Sequence, residues 1–382
     1  MNYQEYERIM PLIEKIIKDN TDSPDTAIDE MNADLRDSVK GINIVLFGQP
    51  DLQGITTKNQ WQSRIGTFVK EQLQRKNQID RDFYGVIMLS EMLDEKDLES
   101  FSKKSFLKLD EVTRQRYIKF YHDFSHFWGE LGSGDEVGPA TKERICILKE
   151  HRQDLIWLYE RLCDYRSKRV LSNMLNNWIN FDISLITGMK ENCFVDYFDP
   201  DVFSFSGDEV IVDLGAYIGD TVTDYANNIG KYKKIYCYEI TSGSVEKMKD
   251  NLKLFKDIEI RNYGVSDSPG IMHLTSSDVR KTANRLTGNE GEEVEVVTLD
   301  EDIKEKITFL KMDIEGAEKS AIKGAREHIL NDRPRLAVSV YHSNRDIYEI
   351  PRLISSIRDD YRYYLRSHGN QWAPSELSLY AL

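Results

Sequence analysis

Glu209-Val210-Ile211-Val212-Asp213-Leu214-Gly215-Ala216-Tyr217-Ile218-Gly219-Asp220 opens the informative half of the chain. The apolar run Val210–Leu214 has the composition of a strand buried on both faces. It runs into a turn with two glycines, Gly215 and Gly219, and then into a helix predicted from about Thr221 to Asn228. Lys234-Ile235-Tyr236-Cys237-Tyr238-Glu239 follows as a second strand that ends in an acid. Strand, glycine turn, helix, strand, carboxylate is the order of a nucleotide-binding α/β half. Gly215 lets the backbone turn sharply, and Gly219 allows close approach at the helix start. The free N–H groups there favour a carboxylate or phosphate. Glu239 stands where an acid accepts the two hydroxyls of a ribose.

Asp213 bears on the choice of cofactor. In nicotinamide enzymes this position is usually another glycine, because a pyrophosphate passes over it. An acid suits the cationic amino-acid tail of S-adenosylmethionine instead.

Further along, Phe309-Leu310-Lys311-Met312-Asp313-Ile314-Glu315-Gly316-Ala317-Glu318 contains an Asp-x-Glu-Gly-x-Glu segment. Val297-Thr298-Leu299-Asp300 precedes it, and Arg335–His342 and Glu349-Ile350-Pro351 follow. Together with Asp164–Lys168 and Tyr197-Phe198-Asp199 upstream, residues 150–382 resemble the FkbM family of methyltransferases. The resemblance implies a class I methyltransferase fold: a Rossmann-like α/β sheet of seven strands, mostly parallel, with one antiparallel strand near the end. The remaining strands are then expected at Ile258–Tyr263, Ile307–Asp313, Leu336–Tyr341, Tyr361–Arg366 and Leu377–Leu382.

Ligands in such sheets bind beyond the carboxyl ends of the strands. Asp213, Glu239, Gly264, Asp313 and His342 all fall there. The expected cofactor set is Asp213, Gly215, Ala216, Tyr217, Gly219, Asp220, Thr221, Glu239, Ile240, Gly264, Val265, Ser266 and Asp313. By resemblance, Gly264-Val265-Ser266-Asp267 lines the adenine pocket, with a plain turn as the alternative. The expected catalytic residues are His342, Asp313 and Glu315. His342 is read as the proton acceptor, or else as a histidine that only orients the acceptor or packs on Tyr341. Glu318 is read as a helix cap. Arg280, Lys281, Arg285 and Tyr341 are the substrate candidates. The three cations are read as a loop facing the acceptor or, equally, as a solvated loop. Asp313, Glu315 and His342 could also hold a divalent ion, but nothing in their spacing compels one, and no metal is assigned.

The first 150 residues read as a separate, mainly helical domain of unknown role, and 151–382 as the methyltransferase domain with lead-in helices over 151–195. Helical spacing is seen from Tyr6 to Ile17 and through Met31 and Leu35. Ile42–Gly48 and Val86-Ile87-Met88-Leu89 read as strands of a small α/β unit, although the loop Gln49–Gly54 lacks a phosphate-cradling glycine series. Gly129–Thr141 reads as a linker, and Leu155–Ile186 as one or two long helices. His122 and His126 share a helix face among aromatic neighbours, a pattern that favours packing over metal binding.

The 382 residues carry a formal net charge of −14, which disfavours nucleic acid as a partner. Four cysteines, Cys146, Cys163, Cys193 and Cys237, show no metal-type spacing, so a reducing, cytoplasmic setting is expected. No apolar run has the length of a membrane span. The function expected is methyl transfer from S-adenosylmethionine to a hydroxyl of a sugar or glycan precursor, in polysaccharide, glycolipid or secondary-metabolite synthesis. N-methylation of a phosphorylated small molecule, an NAD-dependent oxidoreductase and a non-catalytic binding protein are the alternatives. The N-terminal part is open to a role in self-association or in contact with a partner enzyme.

Overall fold

A computed structural model describes residues 78–132, 136–191, 196–277, 280–287, 292–369 and 375–382, with the side chains of 274–291 excepted. The helices expected before Leu35, the strand at Ile42–Gly48, Cys193 and part of the predicted linker lie outside the described residues.

The described chain begins with eight helices: α1 (Gln78–Met92), α2 (Glu95–Leu107), α3 (Glu111–Asp123), α4 (Ser125–Trp128), α5 (Pro139–Glu150), α6 (Arg152–Arg161), α7 (Tyr165–Asn180) and α8 (Ile183–Met189). Val86–Leu89 is helical, not a strand. It belongs to the inward stripe of α1, where Ile79, Phe83, Val86, Ile87 and Ser90 recur at helical spacing and are buried. A run of four apolar residues does not distinguish strand from helix by itself. The stretch 155–186 divides into three helices because Asp164 caps α7, accepting from the Ser167 N–H, and Phe181 ends it in the left-handed region. The expected linker holds the start of α5, and the Ala140 N–H donates back to the Glu130 carbonyl.

From residue 210 strands and helices alternate: β1 (Val210–Leu214), α9 (Asp220–Asn228), β2 (Lys234–Tyr238), α10 (Ser242–Leu252), β3 (Ile258–Arg261), β4 (Gly264–Val265), β5 (Gly270–Ser277), β6 (Arg280–Thr287), β7 (Glu292–Val297), α11 (Leu299–Asp302), β8 (Phe309–Met312), α12 (Glu318–Gly324), β9 (Arg335–Ser339), α13 (Asp346–Ile357), β10 (Tyr363–Ser367) and β11 (Leu377–Ala381). The main sheet has the order β10-β11-β9-β8-β1-β2-β3. β11 runs antiparallel to both neighbours, and the other pairings are parallel. This is the class I methyltransferase sheet.

Alternation along β1 divides the core. Val210, Val212 and Leu214 join a cluster that includes Leu310, Leu336, Leu365, Ile350 of α13 and Leu171 of α7. Ile211 faces the other way, among Phe198, Phe203, Tyr225, Phe309 and Tyr380. The first cluster also takes in Phe83, Leu148 and Leu155, so one core runs across residue 150.

A second sheet, β4-β7-β5-β6, was not anticipated as such. It contains Arg280, Lys281 and Arg285, which therefore lie on β6 and not in an irregular loop; Arg280 is in register with Ser277 and Arg285 with Thr275. β6 is an edge strand, and charged, polar edges mask the apolar alternation by which strands are read.

Arg366 on β10 ties the sheet to the start of α7 and to the segment before β1. It is 1% exposed, and its guanidinium donates to Asp199 at 2.5 Å and Asp164 at 2.7 Å. Asp199 is fully buried; burial would raise Asp164, but Arg366 and the hydrogen bonds from Ser167 together hold its carboxyl below the usual range. Arg366→Ala should cost about 3–5 kcal/mol in urea denaturation, the effect of stranding a buried carboxylate. A loss under about 1 kcal/mol would mean that Arg166, 3.3 Å from Asp199, compensates.

Candidate active site at the strand tips

A cleft opens beyond the carboxyl ends of β1, β2 and β8. Of the expected cofactor residues, Gly215, Tyr217, Asp220, Thr221, Glu239, Ile240, Gly264, Val265 and Asp313 line it, while Asp213, Ala216, Gly219 and Ser266 do not. Tyr197, Tyr238, Thr241, Ser244, Tyr263 and Lys311 also line it and were not singled out from the sequence.

The glycine turn is required by the protein itself. Gly215 has φ 78°, and a Cβ there would lie 1.9 Å from the Asp313 carbonyl oxygen. Gly219 has φ 83°, and a Cβ there would meet Leu252 at 2.8 Å. The first glycine lets the tips of β1 and β8 close together; the second lets α9 seat on α10.

Asp213 is 1% exposed, and the cation it meets is Lys311 at 2.9 Å, its register partner on β8. Lys311 also donates to the Gly215 carbonyl at 2.8 Å. Burial disfavours the charged lysine, but Asp213 and Asp313 outweigh it and keep Lys311 protonated. The pair was visible as one charge in each of two buried runs. Their pairing was not, because register between distant strands is not written in either one.

Glu239 ends β2 and is 9% exposed. One carboxylate oxygen accepts the Tyr217 N–H at 3.1 Å, and the other accepts the Thr241 N–H at 2.7 Å. Burial raises its pKa against these hydrogen bonds. Each oxygen retains acceptor capacity toward the cleft.

The other end of the cleft is acidic and strained. Asp313 accepts from the Tyr197 hydroxyl at 2.9 Å and the Tyr341 hydroxyl at 3.4 Å. Burial would raise it, but His342 and Lys311 hold its carboxyl below the usual range. Tyr197, Tyr217 and Glu315, all on the cleft wall, have φ of 67°, 46° and 56°. Such backbone costs about 1–3 kcal/mol per residue and concentrates at functional sites. Glu318, the first residue of α12, makes no cap hydrogen bond to that helix. Its Oε1 accepts the Ile314 N–H at 2.9 Å and faces His342 Nδ1 at 3.0 Å.

His342 lies behind Asp313 and Glu315, 4% exposed and outside the cleft lining. Burial would lower its pKa, but Glu318, Asp313 and Glu315 push it up to about 10. A free imidazole ready to take a proton at neutral pH, as read from the sequence, is therefore not what the surroundings favour. The charge of three carboxylates could not be seen from a histidine at a strand end.

The helical layer reaches this end of the cleft. The Trp128 indole N–H donates to the Tyr341 carbonyl at 2.5 Å, and the Phe127 ring centre is 5.0 Å from that of His342. His126 packs on Phe127 at 4.1 Å, and exposed His122 pairs with Glu130 at 2.9 Å. His273 lies on β5, away from the cleft. Among the described residues Cys146, Cys163 and Cys237 are free. No helix among the described residues is long and apolar enough to cross a membrane.

Residues 213–371 match the family described as the methyltransferase FkbM domain. Over that stretch the chain is similar to FkbM methyltransferase domains. The chain is similar to a methyltransferase FkbM from Methylobacillus flagellatus KT, with 26% identity and a TM-score of 0.54. That match covers 63% of this chain and 62% of the other, so the likeness spans less than two thirds of that relative. A putative methyltransferase from Streptococcus mutans in complex with SAH is 14% identical over 48% of this chain and 92% of its own, with a TM-score of 0.31. Fibrillarin from Aeropyrum pernix with bound S-adenosyl-L-methionine is 15% identical over 46% of this chain and 67% of its own, with a TM-score of 0.30. No curated protein matches the chain.

Lys311 gives the buried pair a direct test. Lys311→Met leaves Asp213 buried without its cation and should cost about 3–5 kcal/mol in chemical denaturation. Adding Asp213→Leu should return most of that loss. A double variant no more stable than Lys311→Met would show that the lysine acts mainly through the Gly215 carbonyl.

Proposed function

We propose that the FkbM-like domain binds S-adenosylmethionine in this cleft and methylates a hydroxyl of a sugar or glycan precursor. The reading rests on one observation: Glu239 and the Asp313–Glu315 segment face one cleft from opposite ends. Glu239 is held rigidly by two backbone N–H groups, with acceptor capacity left for a pair of ribose hydroxyls. Tyr263, Gly264 and Val265 line the wall beside it, where the flat base fits. When bound, the cofactor supplies an electrophilic methyl group on a sulfonium. The negative field of Asp313 and Glu315 suits that positive centre and polarises an acceptor hydroxyl placed beside it. Tyr197 and Tyr341 fix the Asp313 carboxylate, so its orientation needs little adjustment during the reaction. With the cofactor bound, an acceptor oxygen would bond to the methyl carbon as the carbon–sulfur bond breaks and S-adenosylhomocysteine leaves, and this group of carboxylates would take the acceptor's proton.

The same acidic end suits an amine acceptor, which keeps N-methylation as the second reading. A phosphorylated acceptor fits less well, since Lys311, a cation on the lining, is engaged by Asp213. The helices before residue 150 contribute Trp128 and Phe127 beside Tyr341 and His342, which favours a part for them in shaping the acceptor end.

Calorimetry with S-adenosylmethionine should give saturable binding, and NAD should give none. Glu239→Ala should weaken the affinity by about 1–3 kcal/mol, or roughly 5- to 150-fold. Equal affinity in the variant would remove Glu239 from the ribose role. An assay for S-adenosylhomocysteine release with polyols and amino sugars would decide between oxygen and nitrogen.

A further inference from the structure

Glu315 differs from its acidic neighbours in what it is bonded to. Asp313 accepts from the Tyr197 and Tyr341 hydroxyls. Glu318 accepts the Ile314 N–H and faces His342 Nδ1. Asp196 accepts the Tyr197 N–H at 2.8 Å and the Ser378 hydroxyl at 2.8 Å. Glu376, just before β11, is joined to the Tyr341 hydroxyl. Glu315 lines the cleft, its side chain is 29% exposed, and it accepts no hydrogen bond from the described residues. Its close partner is His342 Nε2, 3.5 Å from Glu315 Oε2 and 3.5 Å from Asp313 Oδ1. That separation exceeds a good hydrogen bond, so the imidazole attracts Glu315 by charge and leaves its oxygens free to accept.

A proton acceptor must be within reach of the acceptor hydroxyl, have a free lone pair and titrate near neutral pH. Asp313 fails the last condition, because His342 and Lys311 hold its carboxyl low against burial. Glu318 fails the first, being 1% exposed. His342 already carries its second proton at neutral pH and lies outside the lining. Glu315 meets all three. Burial pushes its carboxyl up to about 7; His342 opposes the rise, and Asp313, Glu318 and Glu376 add to it. The left-handed backbone at Glu315, φ 56°, is a further mark of a residue held in place for function.

We propose that Glu315 is the catalytic base of the cleft and the carboxylate whose charge follows the charge of the cofactor. This rests on the methyltransferase reading. The acceptor oxygen bonds to the methyl carbon as the carbon–sulfur bond breaks, the sulfur keeps that electron pair, and the acceptor's proton moves to the Glu315 carboxylate. One positive charge on sulfur and one negative charge on Glu315 are lost together, so the acidic end stays balanced. The same coupling acts on binding. A sulfonium beside Glu315 favours its ionised form and lowers its pKa, whereas a neutral thioether does not. S-adenosylmethionine therefore drives a proton off Glu315 near pH 7, and S-adenosylhomocysteine leaves it in place.

The test is calorimetry on the full chain at pH 7, in phosphate and in Tris. These buffers differ in ionisation enthalpy, so the difference in heat counts the protons exchanged per ligand. Wild-type protein should release up to about half a proton more per S-adenosylmethionine than Glu315→Gln. The methionyl amine contributes to both proteins and cancels. With S-adenosylhomocysteine the two should not differ. Glu315→Gln keeps the size of a partly exposed side chain, and unchanged S-adenosylhomocysteine affinity shows that it folds; Glu315→Ser serves as a second variant and should lose the release equally. A proton count as large in both folded variants as in the wild type would overturn the assignment and leave the transferase reading standing, since the cofactor still binds. Wild-type protein that binds neither ligand would remove both.

Discussion

Lys311 and Asp213 face each other across two strands whose other side chains are apolar, and both are almost completely buried. Such a pair gains little over a hydrophobic contact in net stability, but neither charge can be left alone. Its effect is therefore one of register. β1 and β8 are locked with residue 213 opposite 311, which brings the Asp313 carbonyl against Gly215. A slip by one residue would bury both charges against hydrocarbon on the wrong faces. The glycine turn, the position of Asp313 and the opening between them all follow from that lock.

The sequence made the sheet legible because buried parallel strands are continuous apolar runs with abrupt ends, and those ends carry acids at Glu239 and Asp313. The same rule failed at Val86–Leu89, where four apolar residues belong to a wide helical stripe. It failed again at Arg280–Thr287, where an edge strand needs no apolar alternation to form. In the site, residue types were readable and partnerships were not. Asp213 was read as facing a ligand, yet its counter-ion is a lysine far along the chain. His342 was placed at the correct end of the sheet, but a histidine's charge state depends on what surrounds it, and Glu318, Asp313 and Glu315 come together only in the folded chain.

The helical layer does more than cover the sheet. Asn344, two residues beyond His342, donates to the Trp128 carbonyl at 3.3 Å and to Glu143 at 2.7 Å, and Arg144 donates to Asn344 at 3.0 Å. The segment after β9 is thus fixed from both sides, by Glu318 at His342 and by the helices at Asn344. A loop that carries function usually gains its precision from a rigid support, and here part of that support precedes residue 150.

The two ends of the cleft solve different problems with the same residue type. At Glu239 a carboxylate is held by backbone N–H groups that belong to the turn itself, so its position is set by local chain geometry and survives changes elsewhere. At Asp313, Glu315 and Glu318 three carboxylates crowd one imidazole, and their mutual repulsion must be offset by positive charge. Lys311 provides part of that charge from inside the sheet, and its ammonium is already shared with Asp213. His342 provides the rest only while it carries a second proton. That second proton, kept on by the surrounding carboxylates, is what balances the acidic group in the folded chain. The left-handed backbone at Glu315 is a cost that the surrounding contacts hold in place: Tyr197 and Tyr341 fix Asp313, and the Ile314 N–H and His342 fix Glu318.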